Sequence, residues 1–204
     1  MTFFMTKLLQ TRPLAIQRAA PALLLAVLAA SAQAATFEGL RFEDSARLAG
    51  QDLRLNGLGL RRMLFVKVYA AALYLPAKAG TLAAVAAQAG PKRLQLRMLH
   101  AAGPDDFIDA LLPGIRNNTS PAQQAALAER LAQLERTIRA IGHTAVGDVI
   151  DFDYAVQGST QLSVNGQAKG AVIAGADFYS AVLGIFVGEQ PVDAGLKKGL
   201  LGGP

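Results

Sequence analysis

The chain has 204 residues, no cysteine and a net charge of +5, from 20 basic and 15 acidic side chains. The lack of cysteine excludes disulfides, thiol catalysis and thiolate metal sites. The only two histidines, His100 and His143, are far apart in the sequence, and no carboxylates stand at metal-ligand spacing beside them. The sequence therefore predicts no metal site, and each histidine is expected at the end of an ordinary element.

Residues 1–34 have the pattern of a secretory signal peptide that is cleaved after its last residue. Lys7, Arg12 and Arg18 form a positive n-region, an uncharged apolar stretch follows, and Ala32-Gln33-Ala34 is an A-x-A cleavage site. The apolar stretch is too short and too rich in alanine for a membrane span, although a retained anchor is the alternative. We expect a bacterial protein exported to the periplasm, without a stable membrane span once the leader is removed.

Cleavage changes the interpretation of the charge. The leader holds three basic residues and no acidic ones, so 17 basic and 15 acidic residues remain and the net charge falls to +2. These charges are scattered rather than gathered in a basic patch, which argues against nucleic acid as a partner. Residues 35–204 have the length of one domain, and the chain is 52% hydrophobic, enough for a sizeable core without staples.

The first half of this domain is predicted to be rich in strands. Short strands are expected over residues 37–40 and 52–60, the second with leucines at alternate positions. A long strand is predicted over residues 63–75, apolar on both faces and ended by Pro76. A short alanine-rich helix over residues 81–89 and an alternating strand over residues 93–99 follow.

Two helices are predicted next. Pro104 suits the first turn of a helix, where Asp105 and Asp106 face the positive end of its dipole, and Pro113 is expected to kink the helix or end its first part. Ser120 is predicted to cap a second helix, whose apolar residues recur at three- and four-residue spacing as far as a C-terminal glycine at position 142.

The last third predicts a hairpin followed by helices. An alternating strand is expected over residues 148–157, with Asp151 and Asp153 exposed on its solvent side; a catalytic carboxylate pair is the alternative. Asn165-Gly166 between two further strand patterns is a strong hairpin signal. Helices over residues 177–187 and 192–201 complete an α+β fold, in which an antiparallel sheet carries helices on one face.

The chemistry that the sequence offers is concentrated between Asn56 and Pro76. Gly57-x-Gly59 is interpreted as a glycine-rich turn; because a strand follows rather than a helix, it does not predict a dinucleotide site, and no cofactor is expected. Arg61 and Arg62 follow at the start of the long strand. An arginine at the mouth of an apolar layer suits an anionic or enolate-like oxygen, although capping of a strand at the surface is the alternative.

Three tyrosines also occur in apolar surroundings: Tyr69, Tyr74 and Tyr179. Buried tyrosines usually serve as core aromatics with one satisfied hydroxyl. The alternative is an apolar pocket between the sheet and the helices, with an arginine and a few hydroxyls as its polar contacts.

The motif from Gly57 to Arg61, followed by Phe65-x-Lys67-Val-Tyr69-Ala and Leu73-Tyr74, resembles the chalcone isomerase-like family. The segment from Gly175 to Asp193, with Leu196-Lys-Lys after it, resembles the closing segment of that family, in its bacterial exported branch. The resemblance covers residues 36–202. It implies an open-faced β-sandwich, a large antiparallel sheet backed by helices. The family includes enzymes that close a chalcone to a flavanone, fatty-acid-binding relatives and non-catalytic members.

In the enzymes of this family, an arginine of the first motif holds the phenolate oxygen of the substrate. Arg61 matches that position, with Arg62 as the near alternative. The other polar positions of the enzymes are matched by Tyr69, Phe107, Gly114 and Tyr179, so most of the groups that orient the ketone are replaced. Such a loss removes positioning on which an intramolecular cyclisation depends.

Three hypotheses follow. The first is a non-catalytic periplasmic protein that binds a small anionic amphiphile such as a fatty acid, with Arg61 on the carboxylate and a hydroxyl of Tyr69 or Tyr179 nearby. The second is an isomerase, an intramolecular lyase acting on a phenolic or enone substrate. The third is a structural or partner-binding protein with a filled pocket. The ligand-binding candidates are Arg61, Arg62, Tyr69, Tyr74, Phe107 and Tyr179; the sequence leaves a protein partner open.

Overall fold

The computed structural model describes residues 34–155 and 158–203. Its strands are β1 (Ala34–Phe37), β2 (Leu40–Glu43), β3 (Ser45–Leu48), β4 (Gln51–Met63), β5 (Val66–Leu75), β6 (Lys92–Met98), β7 (Val149–Ala155), β8 (Ser159–Val164) and β9 (Gln167–Ala174). Its helices are α1 (Leu82–Ala87), α2 (Pro104–Asn117), α3 (Pro121–Ile141), α4 (Ala176–Val187) and α5 (Ala194–Leu200). Residues 1–33 of the predicted signal peptide lie outside the described residues. So do residues 156 and 157, at the end of the predicted strand over residues 148–157. No described helix is long and apolar enough to cross a membrane.

Strands β3 to β9 form a seven-stranded sheet in which sequence neighbours pair antiparallel, while β1 and β2 form a separate hairpin. The alternation of β5 shows how the sheet is covered. Ala71, Leu73 and Leu75 face the helices and belong to the main core, which includes eight of the twelve residues of α4. The predicted α+β fold, an antiparallel sheet with a helical layer on one face, is confirmed.

The opposite face of the sheet is also covered in part, as the apolar residues on both faces of the predicted long strand indicated; the hairpin that supplies this cover was not predicted. Ala70, Ala72 and Tyr74 of β5 pack there with Phe42 of the β1–β2 hairpin. The prediction of one strand over residues 37–40 was wrong, because Glu38-Gly39 is the two-residue turn of that hairpin, with both residues at positive φ. Strand β3, at the edge of the sheet, was not predicted.

Asp151 and Asp153 lie on this covered face, so their predicted exposure was wrong: they are 5% and 8% exposed. Asp153 accepts two bonds of 2.6 Å from the guanidinium of Arg93, and Asp151 accepts one of 2.9 Å from Gln95. Burial raises the pKa of Asp151, although Arg93 and Gln95 act in the other direction. The two carboxylates form a buried polar layer between neighbouring strands.

The predicted long strand over residues 63–75 begins three residues too early. Met63 ends β4 and pairs with Val66 of β5, and Leu64-Phe65 is the turn between them. Arg61 and Arg62 therefore lie at the end of β4 rather than at the start of the next strand. Gly57 and Gly59 also lie inside β4, so the predicted glycine-rich turn was wrong.

Several residues that the sequence marks as helix ends or turns have those positions in the structure. Ser120 caps α3, with Pro121 as its first residue and Gly142 as its C-cap. Asn165-Gly166 joins β8 to β9, as the hairpin signal predicted. Helix α2 begins at Pro104 and continues through Pro113 to Asn117, so the proline does not end it.

Candidate functional site

The site is built on a close approach of α5 to β4. A Cβ atom added to Gly57 would lie 2.1 Å from the carbonyl oxygen of Gly199, and one added to Gly59 would lie 2.5 Å from that of Leu196. Only glycine in the strand leaves room for the helix backbone at this distance. The Gly57-x-Gly59 motif thus brings the first turn of α5 against the end of β4, where Arg61 lies.

Arg61 is held on the helix-facing side of β4. Its Nη1 donates to the carbonyl oxygen of Val192 at 2.7 Å and to that of Arg62 at 3.1 Å. The same nitrogen lies 3.7 Å from Oδ2 of Asp193, and both side chains are 20% exposed. Among the described residues, the structure gives no hydrogen-bond partner to Nε or Nη2 of Arg61. One edge of the guanidinium is fixed and the rest remains available.

Asp193 joins the arginine to the helix. It is the N-cap of α5, accepts a bond of 3.0 Å from the backbone N–H of Leu196 and one of 3.3 Å from that of Arg62. Burial opposes ionisation of this carboxyl, yet the backbone N–H groups of Leu196, Arg62 and Gly195 and the charge of Arg61 hold its pKa below the usual value. Asp193 is therefore a charged cap that positions Arg61.

Arg61 lines a cleft of about 700 Å³ between the β4–β5 hairpin and α2. This volume is within the range of small-molecule sites. Most of the wall is apolar or small: Met63, Leu64, Val66, Val68, Ala101, Ala102, Ala110, Pro113, Gly114, Pro191 and Val192. The polar groups are Arg61, His100, Asp106, Asp109, Asn117 and Gln190. None of these described lining residues carries a hydroxyl group.

The polar groups of the cleft are divided between the two ends of α2. Asn118, at the C-terminal end, donates to the carbonyl oxygen of Gln190 at 2.8 Å and accepts from its N–H at 3.0 Å. These bonds hold the segment from Gln190 to Val192, which accepts the bond from Arg61, at that end of the helix. Asp106 lies in the first turn of the helix, where it accepts a bond of 2.7 Å from the N–H of Gly103. The cationic end of the cleft is thus separated from its acidic end along the helix.

The second candidate arginine, Arg62, belongs to the other face of the sheet. It pairs with Lys67 in the β4–β5 register, and both side chains contact Glu38 in the turn of the β1–β2 hairpin. The hydrogen bond from Lys67 lowers the pKa of Glu38. Burial acts in the other direction, and the charge of Arg62 lowers the pKa further. Of the two arginines that the sequence left open, the structure places Arg61 in the cleft and Arg62 outside it.

The structure does not bring the candidate tyrosines together. Tyr69 pairs with Arg61 in the strand register and is buried against Phe186, with ring centroids 6.4 Å apart. Burial raises its pKa well above the usual value, although Arg61 acts in the other direction. Tyr69 is a buried neighbour of the arginine and does not line the cleft.

Tyr74 and Tyr179 lie elsewhere. Tyr74 is on the covered outer face, where its hydroxyl donates to the carbonyl oxygen of Glu43 at 3.0 Å and burial raises its pKa to about 12. Tyr179 is stacked obliquely on Tyr154 with ring centroids 5.0 Å apart, and its buried hydroxyl has no hydrogen-bond partner among the described residues. Phe107 lines a separate small depression near Ile138. Of the six candidate residues, Arg61 lines the cleft and the other five do not.

The sequence analysis missed the other polar residues of the cleft. Asp106, Ala110, Pro113 and Asn117 recur at three- and four-residue spacing along α2, and that periodicity marks a common helix face. Gln190 had no comparable signal, because its placement depends on Asn118. The described residues contain no cluster of His, Asp or Glu able to hold a metal ion.

Comparisons with known proteins agree with this architecture. A family model described as chalcone isomerase-like matches residues 34–202. Among solved structures, the chain is similar to a fatty-acid binding protein of Arabidopsis thaliana, with a TM-score of 0.63 and 14% identity, covering 83% of this chain and 96% of that one. At that identity the likeness concerns the fold. Curated protein sequences give no match. The chain belongs to the chalcone isomerase-like family.

Proposed function

We propose that this protein is a non-catalytic member of its family that binds a small anionic amphiphile, such as a fatty acid, in the cleft between the β4–β5 hairpin and α2. One observation carries the proposal: Arg61 presents a partly free guanidinium to a cleft whose wall is mostly apolar. A guanidinium binds a carboxylate with two parallel bonds, and an apolar wall suits a hydrocarbon tail.

The lining of the cleft supports binding over catalysis. Closure of a phenolate onto an enone needs donors that stabilise the developing charge on the ketone oxygen. The described residues that line the cleft include no serine, threonine or tyrosine, and Tyr69 is buried beside Arg61 rather than exposed to the cleft. Arg61 is the one arginine or lysine among the described lining residues, and it suits a ligand carboxylate without further chemistry.

The open volume of the cleft supports a ligand over a filled pocket. At about 700 Å³, the space beside Arg61 is far larger than a packing defect. The solved relative described as a fatty-acid binding protein has the same fold. Together with the predicted leader, these observations favour a periplasmic binding protein whose ligand has a carboxylate head and an apolar tail.

The proposal is tested by what the protein carries out of the cell. The full chain is expressed in a bacterial periplasm, purified and examined by native mass spectrometry, and bound molecules are extracted under denaturing conditions. We expect a co-purifying amphiphilic acid that is lost in Arg61→Ala. Arg62→Ala is the matched control, because it removes the neighbouring arginine outside the cleft and should retain the ligand.

Two results would contradict the proposal. If the wild-type protein is empty and also ignores added fatty acids, the cleft does not bind such ligands. If it converts an added chalcone and Arg61→Ala abolishes that turnover while the fold persists, the isomerase hypothesis replaces the binding one.

A further inference from the structure

The turn between β4 and β5 carries the most exposed apolar side chains among the described residues. Leu64 is 93% and Phe65 100% exposed, and Met63 and Val66 on either side are 58% and 44% exposed. We call residues 63–66 the hairpin tip. A contiguous exposed apolar patch of this kind usually marks a surface that contacts a membrane, another protein or a ligand.

The local structure gives no folding reason for these residues. The three other two-residue hairpin turns between described strands are Glu38-Gly39, Ala49-Gly50 and Asn165-Gly166, each with glycine second. The hairpin tip has Leu64-Phe65 instead, and Leu64 adopts a φ of 53°, a conformation that a leucine rarely takes. Stability and solubility both favour a polar residue or glycine here, so another requirement selects leucine and phenylalanine.

Basic side chains flank the hairpin tip. Arg62 and Lys67 stand directly before and after it, with side chains 60% and 52% exposed. Both contact the single carboxylate of Glu38, so these three groups carry one net positive charge. An apolar tip with cations at its base matches the chemistry of an anionic lipid surface, which has an apolar interior beneath phosphate groups.

We propose that the hairpin tip inserts into an anionic lipid bilayer, with Arg62 and Lys67 at the level of the phosphates. A protein partner fits less well, because a stable interface buries about 800 Å² on each side and a convex four-residue tip offers far less. Insertion into the interfacial region of a bilayer covers all sides of such a tip.

The position of the tip connects this surface to the cleft. Met63, Leu64 and Val66 also line the cleft beside Arg61. A docked tip therefore places the cleft entrance at the lipid surface, where an amphiphile is concentrated. This last step rests on the proposed function, whereas docking of the tip does not, so the two fail separately.

The chain has no tryptophan, which makes a direct test possible. Phe65→Trp places a single fluorophore at the tip, and Val172→Trp places one on β9, at another exposed apolar position, 55% exposed. Each protein, purified from the periplasm after expression of the full chain, is titrated with vesicles of equimolar phosphatidylglycerol and phosphatidylcholine. We expect a blue shift and quenching by brominated lipid for the tip tryptophan, and neither for the β9 tryptophan.

A second pair of variants measures the contribution of the tip. The double variant L64N/F65G gives the tip the Asn-Gly turn that already joins β8 to β9, so it should fold at least as well as the wild type. We expect its partition into the anionic vesicles to fall at least about tenfold, since two large apolar side chains are removed. Val172→Ser should partition like the wild type. All variants have the same N-terminus, so any contribution of a retained leader to vesicle binding is the same in each and does not affect their comparison.

Four outcomes would overturn the proposal. The first three are that the protein does not partition into the vesicles, that L64N/F65G partitions like the wild type, and that both tryptophans shift equally. A blue shift of the tip tryptophan that depends on protein concentration without vesicles would also overturn it, because the tip would then bind a second copy of the chain.

Discussion

Nη1 of Arg61 donates to the carbonyl oxygen of Val192 at 2.7 Å, joining the end of β4 to the segment before α5. This bond spans 131 residues of sequence and fixes one edge of the guanidinium. Val192 and Arg61 both line the cleft, so the bond also sets the width of its cationic end. Preorganised donors bind a ligand at lower entropic cost than mobile ones.

Asp193 should stabilise the protein in a charge-dependent way. Asp193→Ala removes the cap of α5 and should cost about 0.5–2 kcal/mol of stability. Asp193→Asn retains a capping oxygen but not the charge, so its smaller cost isolates the electrostatic part. Thermal unfolding of the three proteins measures both effects.

The sign of the pH dependence follows from the pKa of Asp193, which lies below its ordinary value of 3.8. A lowered pKa in the folded state means that the charge stabilises the fold above the ordinary value, and that this contribution is lost as the pH falls through the lower one. The stability difference between wild type and Asp193→Asn should therefore shrink on acidification below pH 3.8. A difference that grows with acid would contradict the assignment.

Gly57 should be intolerant of any side chain. Gly57→Ala places a methyl group against the backbone of Gly199 and Leu200, which cannot yield as a flexible side chain does. We expect a loss of about 1–3 kcal/mol, the usual cost of overpacking, measured by denaturant unfolding. Gly80→Ala is the control, because nothing lies within 4 Å of its added Cβ. Equal stability of the two variants would show that β4 and α5 are not in backbone contact.

Asp153 distinguishes the structure from the expectation based on sequence. An exposed carboxylate could be lost with little effect, whereas the buried Asp153 neutralises Arg93 through two bonds. Asp153→Ala should cost about 2–3 kcal/mol, because it leaves the half-buried guanidinium of Arg93 with the more distant Asp151, 3.7 Å away, in place of two short bonds. Asp52→Ala, which breaks an exposed pair with Arg47, should change stability by less than about 1 kcal/mol. Similar losses in the two variants would contradict the burial of the polar layer.

The sequence predicted those parts of the fold that depend on local signals. Ser120, Pro121 and Gly142 delimit α3, and Asn165-Gly166 marks a hairpin, because caps and turn residues act on their immediate neighbours. The boundary between β4 and β5 was misplaced because Leu64 and Phe65 have none of the usual features of turn residues. That departure from local chemistry is itself the basis for the lipid-docking proposal.

Long-range packing accounts for the remaining differences. Asp151 and Asp153 alternate with apolar residues as on an exposed strand, yet they are buried with Arg93 and Gln95 of the neighbouring strand β6, which are distant in the sequence. The same limit applies to the site. The sequence selected Arg61, but the separation of Tyr74 and Tyr179 from it depends on which face and which end of the sheet each occupies. Local sequence pattern determines neither the face nor the end of the sheet at which a tyrosine lies.

The central claim, that Arg61 recognises a ligand carboxylate in the cleft, is tested most directly by changing both partners. The affinities of a fatty acid and of the alcohol of equal chain length are measured by calorimetry for the wild type and Arg61→Ala. We expect the wild type to prefer the acid by at least about tenfold, the value of one charge-assisted hydrogen bond, and Arg61→Ala to bind both alike. A preference for the acid that survives in Arg61→Ala, or a wild type that does not distinguish the two ligands, would contradict the account.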